Sequence, residues 1–235
     1  MKPIYEPKGK AKEYGDLAIN IYTGCPHECF YCFAPNVLHR KRDVFHSCVE
    51  PRKNIVEEVK KQIARENITG KLIHLCFTCD PYPTGYDSTP TREIIKILKN
   101  SGNNVQILTK GDGSRDFDLL DENDWYGISL SCMNDLREKS EPYALSVVAR
   151  HESLLLAKEN GIKTWVSCEP VLDAEDVLIY LEECHDFIDK VKIGKLNYYP
   201  SEIDWKHFGV EVEALCQKLG ITYYIKESLR KEMEK

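Results

Sequence analysis

The sequence predicts an α/β fold of parallel strands, closer to a barrel than to an open sheet, on three observations. Short apolar runs alternate with segments of helical periodicity along nearly the whole chain, which is the pattern of βα units. Polar residues gather just past the C-terminal end of almost every run, where a (βα) barrel carries its active rim; a doubly wound sheet concentrates function at one switch point instead. A length of 235 residues, 42% hydrophobic and 30% charged, suffices for one domain with a large core.

In chain order, residues 1–16 are polar, rich in Lys and Gly, and read as an N-terminal lead-in arm. Leu17-Ala18-Ile19-Asn20-Ile21-Tyr22 is a first buried strand, ending at Thr23-Gly24. From Val49 a helical pattern puts Ile55, Val56, Val59 and Ile63 on one face, and Gly70 stops it. The cycle then repeats. Leu72–Phe77 is a second strand, followed by a helix through Ile94, Ile95, Ile97 and Leu98. Val105–Leu108 is a third, with a short helical turn around Phe117–Leu120. Tyr126–Leu130 is a fourth, with a long helix through Val147, Val148, Leu154, Leu155 and Ala157. Lys163–Ser167 is a fifth, with a helix carrying Val177, Leu178, Tyr180 and Leu181. Val191–Ile193 is a sixth, with a helix through Phe208, Val212 and Leu215; Ile221–Ile225 is a seventh, before a charged C-terminal helix. No linker, repeat or low-complexity stretch divides the chain, so residues 17–235 are expected to form a single barrel domain with a short C-terminal βα extension.

Directly after the first strand comes Gly24-Cys25-Pro26-His27-Glu28-Cys29-Phe30-Tyr31-Cys32. A cysteine triad so spaced arises by chance roughly 0.02 times in a chain of this cysteine content. Three thiolates can hold three irons of a [4Fe–4S] cluster and leave the fourth iron without a protein ligand, as an open position marks a catalytic metal. The alternatives are a structural zinc completed by His27 or Cys48, and buried thiols acting as small hydrophobes.

The net charge of −6 does not favour broad affinity for nucleic acid. The one dense basic run, His39-Arg40-Lys41-Arg42, reads as a solvated loop in preference to a phosphate contact. No apolar run reaches the length of a membrane span and the N-terminus has no apolar signal core, so no membrane association and a cytoplasmic location are expected. The ten cysteines are then metal ligands, reactive thiols or core residues in preference to disulfides.

Cys25, Cys29, Tyr31 and Cys32 together match C-x₃-C-x-aromatic-C, and at this point the sequence resembles the radical S-adenosylmethionine (radical SAM) superfamily. Thr78-Cys79-Asp80-Pro81-Tyr82-Pro83, Leu108-Thr109-Lys110, Arg115-Asp116 and Glu141-Pro142-Tyr143-Ala144 are similar to blocks of its spore photoproduct lyase-like branch, also labelled DNA repair photolyases, over about residues 17–197. The resemblance implies an incomplete (βα)₆ barrel and a [4Fe–4S] cluster on Cys25, Cys29 and Cys32. It also implies S-adenosylmethionine chelated to the open iron, and an external one-electron reductant of the flavodoxin or ferredoxin kind. The expected reaction is reductive cleavage to methionine and a 5′-deoxyadenosyl radical, which abstracts hydrogen from a substrate.

By position, the resemblance implies that Tyr31 contacts S-adenosylmethionine, Thr78 and Asp80 bind its amino end, and Lys110 binds its carboxylate. Ser129 would meet its ribose or carboxylate, with Ser131 on the same rim. These residues also have ordinary readings: Asp80-Pro81 starts turns well, and Lys110-Gly111-Asp112-Gly113 is itself turn-like. Glu141 and Arg150 pair with each other or reach the rim; Glu169, Lys195 and Asn197 are expected on the substrate side; His74 reads as a core histidine.

One position departs from the lyases, which carry a hydrogen-donating cysteine directly before the Thr-x-Asp block. Phe77 stands there, between Cys76 and Cys79. Strand alternation would put Cys76 on the face of Thr78 and Asp80, and Cys79 on the face of Phe77. Dimer repair is thereby disfavoured, and the substrate is a nucleic-acid lesion or a protein or peptide, with a partner protein delivering or being it. An iron–sulfur electron-transfer or redox-sensing protein and a zinc-stabilised interaction module are the alternatives from other classes.

Overall fold

The computed structural model describes residues 2–235. Eight strands stand in chain order among the described residues: β1 (Ile4–Tyr5), β2 (Leu17–Ile19), β3 (Leu72–Leu75), β4 (Asn104–Thr109), β5 (Trp125–Ser129), β6 (Lys163–Val171), β7 (Lys190–Lys195) and β8 (Thr222–Ile225). From β2 to β8 every neighbouring pair is parallel. The order never reverses, so crossovers of one hand place all the helices on one side and curl the sheet into a barrel wall. A doubly wound sheet needs a reversal to put helices on both faces. The expected incomplete barrel is therefore the fold. β2 to β7 supply its six strands, β8 extends them, and no ladder among the described residues joins β8 back to β1.

The main outer helices are α3 (Ile55–Glu66), α4 (Thr89–Asn100), α6 (Val147–Glu159), α7 (Ala174–Cys184) and α8 (Trp205–Leu219), with α9 (Glu227–Met233) closing the chain. Strand residues such as Ile73, Leu75, Val105, Ile107, Val191 and Ile193 join helix residues such as Val59, Ile94, Leu98, Leu154, Val177 and Val212 in one core. Three short helices lay outside the sequence pattern: α1 (Ala34–Val37), α2 (Arg42–Ser47) and α5 (Asn134–Ser140). Each follows a strand at the C-terminal rim and spans too few turns to show a periodic apolar face.

Several boundaries moved, for local reasons. β2 stops at Ile19 because the Asn20 side chain takes over the ladder, accepting the N–H groups of Phe77 at 2.8 Å and Thr78 at 2.9 Å. α3 starts at Ile55 and not near Val49 because the preceding backbone is paired: Thr23 donates to Glu50 O at 2.8 Å and Arg52 to Ile21 O at 2.8 Å. Pro51 also keeps Glu50 out of helical geometry. β6 runs on to Val171 through a register shift between Cys168 and Val171.

Inside the wall the residues are polar or aromatic. Trp165 crosses the interior and donates from Nε1 to Ile107 O at 2.8 Å. Only glycine fits opposite it, since a Cβ on Gly127 would lie 2.2 Å from that nitrogen. The N-terminal arm is tied down on this surface. Ile4 and Tyr5 pair antiparallel with Ile19 and Ala18, and a 3₁₀ turn over Gly9–Tyr14 leads Tyr14 into the barrel. Its ring meets His74 and Phe77 at 5.7 Å and Trp165 at 5.9 Å, and its hydroxyl donates to Glu169 Oε2 at 2.6 Å. Lys226 also bonds Glu169, at 2.5 Å. The apolar and aromatic residues that make this possible are too sparse in a Lys-rich segment to stand out as a strand or plug.

Candidate active site at the barrel rim

The cysteine loop leaves the C-terminal end of β2 and is braced from behind by α2. Gly24 passes so close to that helix that a Cβ would lie 2.2 Å from Phe45 O and 2.7 Å from Cys48 O. Cys25 N donates to Phe45 O at 3.4 Å, and Cys25 O meets His46 Nδ1 at 2.8 Å. The basic run is not the solvated loop expected from its charge. Arg40 donates to Thr23 O at 2.5 Å, and Arg42 donates to Cys32 O at 3.2 Å and to Cys29 O. These guanidinium groups hold the loop carbonyls that no helix or strand satisfies.

All three thiols are free. Burial pushes the Cys25 and Cys32 thiols up and that of Cys29 to about 12. Such thiols are poor anions alone and need a metal to hold them as thiolates. The donor set fits a cluster better than a single zinc. His27, one candidate for the fourth zinc ligand, turns Nδ1 to Asp80 Oδ2 at 3.5 Å and Nε2 to Thr84 Oγ1 at 3.0 Å. Cys48, the other, is exposed.

Across the rim from the loop lies a buried charge cluster. Glu141, fully buried, accepts from Arg150 at 2.5 Å and from the Tyr31 hydroxyl, and stands 4.0 Å from Lys110 Nζ. Lys110 also lies over the Tyr31 ring, 5.6 Å from its centroid, and Ser131 Oγ is 3.0 Å from the Tyr31 hydroxyl. Arg150 donates further to Ser129 O at 2.9 Å and Leu145 O at 2.9 Å. Burial pushes the Glu141 carboxyl up, but Lys110 and Arg150 outweigh it and hold the group below its ordinary range. Burial likewise pushes Lys110 down, and Glu141 and Cys29 outweigh it, so its pKa lies above the ordinary lysine value. Lys110 and Arg150 face Glu141, and Asp80, whose Oδ2 accepts from Lys110 N, adds a second carboxylate beside the cysteine loop, so two cations stand among two anions.

Of the residues singled out from sequence, Tyr31, Lys110 and Ser131 meet at this cluster, with Ser129 supplying a carbonyl to Arg150. Thr78 is held by Asn20 through its N–H, and its Oγ1 is buried without a partner, an acceptor or donor left for a ligand. Asp80 is also bound by the chain itself. Oδ1 accepts from Thr109 Oγ1 at 2.5 Å and Tyr82 N at 2.8 Å, and Oδ2 accepts from Lys110 N at 2.8 Å and faces His27 at 3.5 Å. With both oxygens engaged by the chain, Asp80 fixes the turn that presents Lys110.

The strand-alternation reading of Cys76 and Cys79 also fails. β3 ends at Leu75 and Cys76 has φ +69°, which resets the alternation. Phe77 stacks on His74 at 4.2 Å inside the barrel, whereas Cys76 packs into the outer core and Cys79 Sγ accepts from Tyr22 N at 3.4 Å. Glu169 is occupied by Tyr14 and Lys226, and Lys195 by Glu232. Glu141 is the site residue that sequence reasoning undervalued; its block, Glu141-Pro142-Tyr143-Ala144, was the available signal.

Comparison with known proteins adds the following. The family model described as the radical SAM superfamily matches residues 19–196. An uncharacterised protein of Methanocaldococcus jannaschii is 29% identical over 238 residues, covering 96% of this chain and 88% of its own length. An uncharacterised protein of Acidianus two-tailed virus is 31% identical over 249 residues, covering 92% and 80%. A spore photoproduct lyase complexed with dinucleoside spore photoproduct superposes with a TM-score of 0.70 at 13% identity, covering 94% of this chain and 79% of that one. Streptococcus suis SuiB bound to the precursor peptide SuiA superposes with a TM-score of 0.68 at 12% identity, covering 95% of this chain and 53% of that one. At such identity these two structures establish the shared fold. Among the described residues no helix is long and apolar enough to cross a membrane.

Proposed function

Because this chain belongs to the radical SAM superfamily, we propose that it cleaves S-adenosylmethionine reductively, with a [4Fe–4S] cluster held by Cys25, Cys29 and Cys32, and abstracts hydrogen from a nucleic-acid, protein or peptide substrate. When bound, the cluster supplies the electron that breaks the carbon–sulfur bond, giving methionine and the 5′-deoxyadenosyl radical. The electron comes from an external reductant of the flavodoxin or ferredoxin class.

The observation that carries this reading is the placing of three free thiols on the β2 loop beside the Lys110 ammonium group, which lies over the Tyr31 ring of that loop. Lys110, kept protonated by Glu141, is the counter-charge for the cofactor carboxylate. The free hydroxyl of Thr78 offers a hydrogen bond to its amino end. Tyr31, oriented by Glu141 and Ser131, presents its ring beside the cluster, and Ser129 lies at the same rim. Asp80 acts one step back, by setting the Thr109–Lys110 turn. Arg40 and Arg42 keep the loop in shape. With Cys76 and Cys79 turned from the barrel interior, a cysteine hydrogen donor of the lyase kind has no counterpart on β3.

The test is 5′-deoxyadenosine formation by anaerobically reconstituted protein with dithionite and S-adenosylmethionine. The parent should form it and Cys29→Ala should not. Lys110→Met should keep its cluster absorbance and bind S-adenosylmethionine about tenfold more weakly, a loss of roughly 1.4 kcal/mol. A parent that assembles its cluster and yields no product, with or without added substrate extract, overturns the reading.

A further inference from the structure

A cleft of about 540 Å³ opens on the rim beside the cysteine loop, among the segments that follow β5, β6 and β7. Phe30, Leu136, Leu172, Leu196 and Ile203 form its apolar lining. Phe30 lies between Cys29 and Tyr31, and its N–H donates to Ser140 O at 3.1 Å, immediately before Glu141. The cleft therefore neighbours the candidate active site through Phe30 and Ser140. Its apolar surface is open to solvent: Phe30 is 39% exposed and Leu136 40%. Tyr199 extends it, its ring 5.3 Å from that of Phe30 and its hydroxyl donating to Phe30 O at 2.9 Å.

The charged residues that line the cleft are acidic. Asp173, Glu175 and Glu202 line the cleft, and no lysine or arginine does so among the described residues. Asp173 is partly committed, capping α7 through Asp176 N at 3.1 Å, but Glu175 and Glu202 are exposed on the lip. A phosphate backbone brought here would meet carboxylates on a chain of net charge −6. An apolar side chain carried by a lysine- or arginine-rich segment would bury its anchor in the floor and place cations at the lip.

We propose that this cleft docks a peptide segment with an apolar anchor flanked by lysine or arginine, and that such a segment is the substrate or its recognition element; the second clause rests on the radical chemistry proposed above. The two lip carboxylates select the basic flanks, and the Phe30 floor brings the anchored chain next to Tyr31.

Binding is measured by fluorescence anisotropy on the cluster-loaded protein without reductant or S-adenosylmethionine. The probes are a fluorescein-labelled peptide with a Leu-Phe core between paired lysines, the same peptide with glutamates, and a labelled single-stranded DNA. The lysine peptide should bind about tenfold or more tighter than either other probe, and weaken with salt. Glu175→Lys combined with Glu202→Lys should erase that preference; both positions are exposed, and far-UV circular dichroism with cluster absorbance reports that the variant is folded. Equal or tighter binding of the glutamate peptide or the DNA, no binding of any probe, or a preference that survives the double reversal each overturns the proposal. If the lysine peptide binds as expected while no 5′-deoxyadenosine forms, docking stands and the radical reading falls.

Discussion

Replacing Glu141 by Gln removes the negative charge shared by the buried Arg150 and the partly buried Lys110. The perturbation is nearly isosteric, so volume is preserved and charge is what changes. Glu141 is 0% exposed, with Arg150 at 2.5 Å from one oxygen and Lys110 at 4.0 Å from the other. Removing one partner of a buried ion pair costs about 3–5 kcal/mol, because the remaining charge is left uncompensated in a poor solvent for it. The amide retains an acceptor for Arg150, which places the expected loss at the lower end, about 3 kcal/mol. In a chain of this size each kcal/mol moves Tm by about 2–4 °C, so Tm should fall by about 6–12 °C. Urea unfolding of the apo-protein is the second assay, with the midpoint shifted at constant m. Adding Lys110→Met to Glu141→Gln removes one of the two stranded cations while keeping its aliphatic stem. The double variant should recover about 1 kcal/mol or more relative to the single one. A Glu141→Gln protein within 1 kcal/mol of its parent would refute the reasoning, as would a double variant no more stable than the single.

Arg42→Leu deletes the donors to Cys29 O and Cys32 O, so reconstituted protein should retain less than about half the parental iron and sulfide at unchanged helix content; parental iron loading would remove Arg42 from its bracing role. His74 governs part of the acid limb. Burial pushes its pKa down to about 3 from 6.5, with Gln106 donating to Nδ1 at 3.0 Å. The unfolded chain takes up the proton as pH falls below 6.5 and the folded chain does not until about 3, so this contribution is full above 6.5 and is lost on acidification through that window. Between pH 6.5 and 4.5 the parent should lose about 2.5 kcal/mol more than His74→Gln; parallel stability–pH curves from urea titrations would contradict it.

Local chemistry carried most of the fold into view. Runs such as Leu72–Leu75 and Val191–Ile193 are legible because Ile73, Leu75, Val191 and Ile193 pack under the helices while His74 and Lys192 alternate into the barrel, and Ile55, Val59 and Ile63 recur at helical spacing because one face is buried. The cysteine triad is legible because its ligands lie within one loop, so spacing along the chain is nearly spacing in space. Other features were set by partners distant in sequence. Asn20 ends β2 by taking the N–H groups of Phe77 and Thr78, and the backbone at 50–52 delays α3 by pairing with 21–23. Arg40 and Arg42 look solvated by composition until the loop carbonyls they satisfy are in place.

The identity and spacing of side chains determined the parallel barrel wall, the family and the loop that can carry a cluster, since each follows from periodicities or ligands a few residues long. Tertiary structure alone decided that Asp80 serves the Lys110 turn, that Cys76 and Cys79 face away from the interior, that Tyr14 fills the barrel and that Glu141 joins Tyr31, Lys110 and Arg150. The physical reason is common to all four. A polar group's role is set by which donors and acceptors reach it after burial, and those partners come from segments as far apart along the chain as Tyr14 and Glu169, 155 residues.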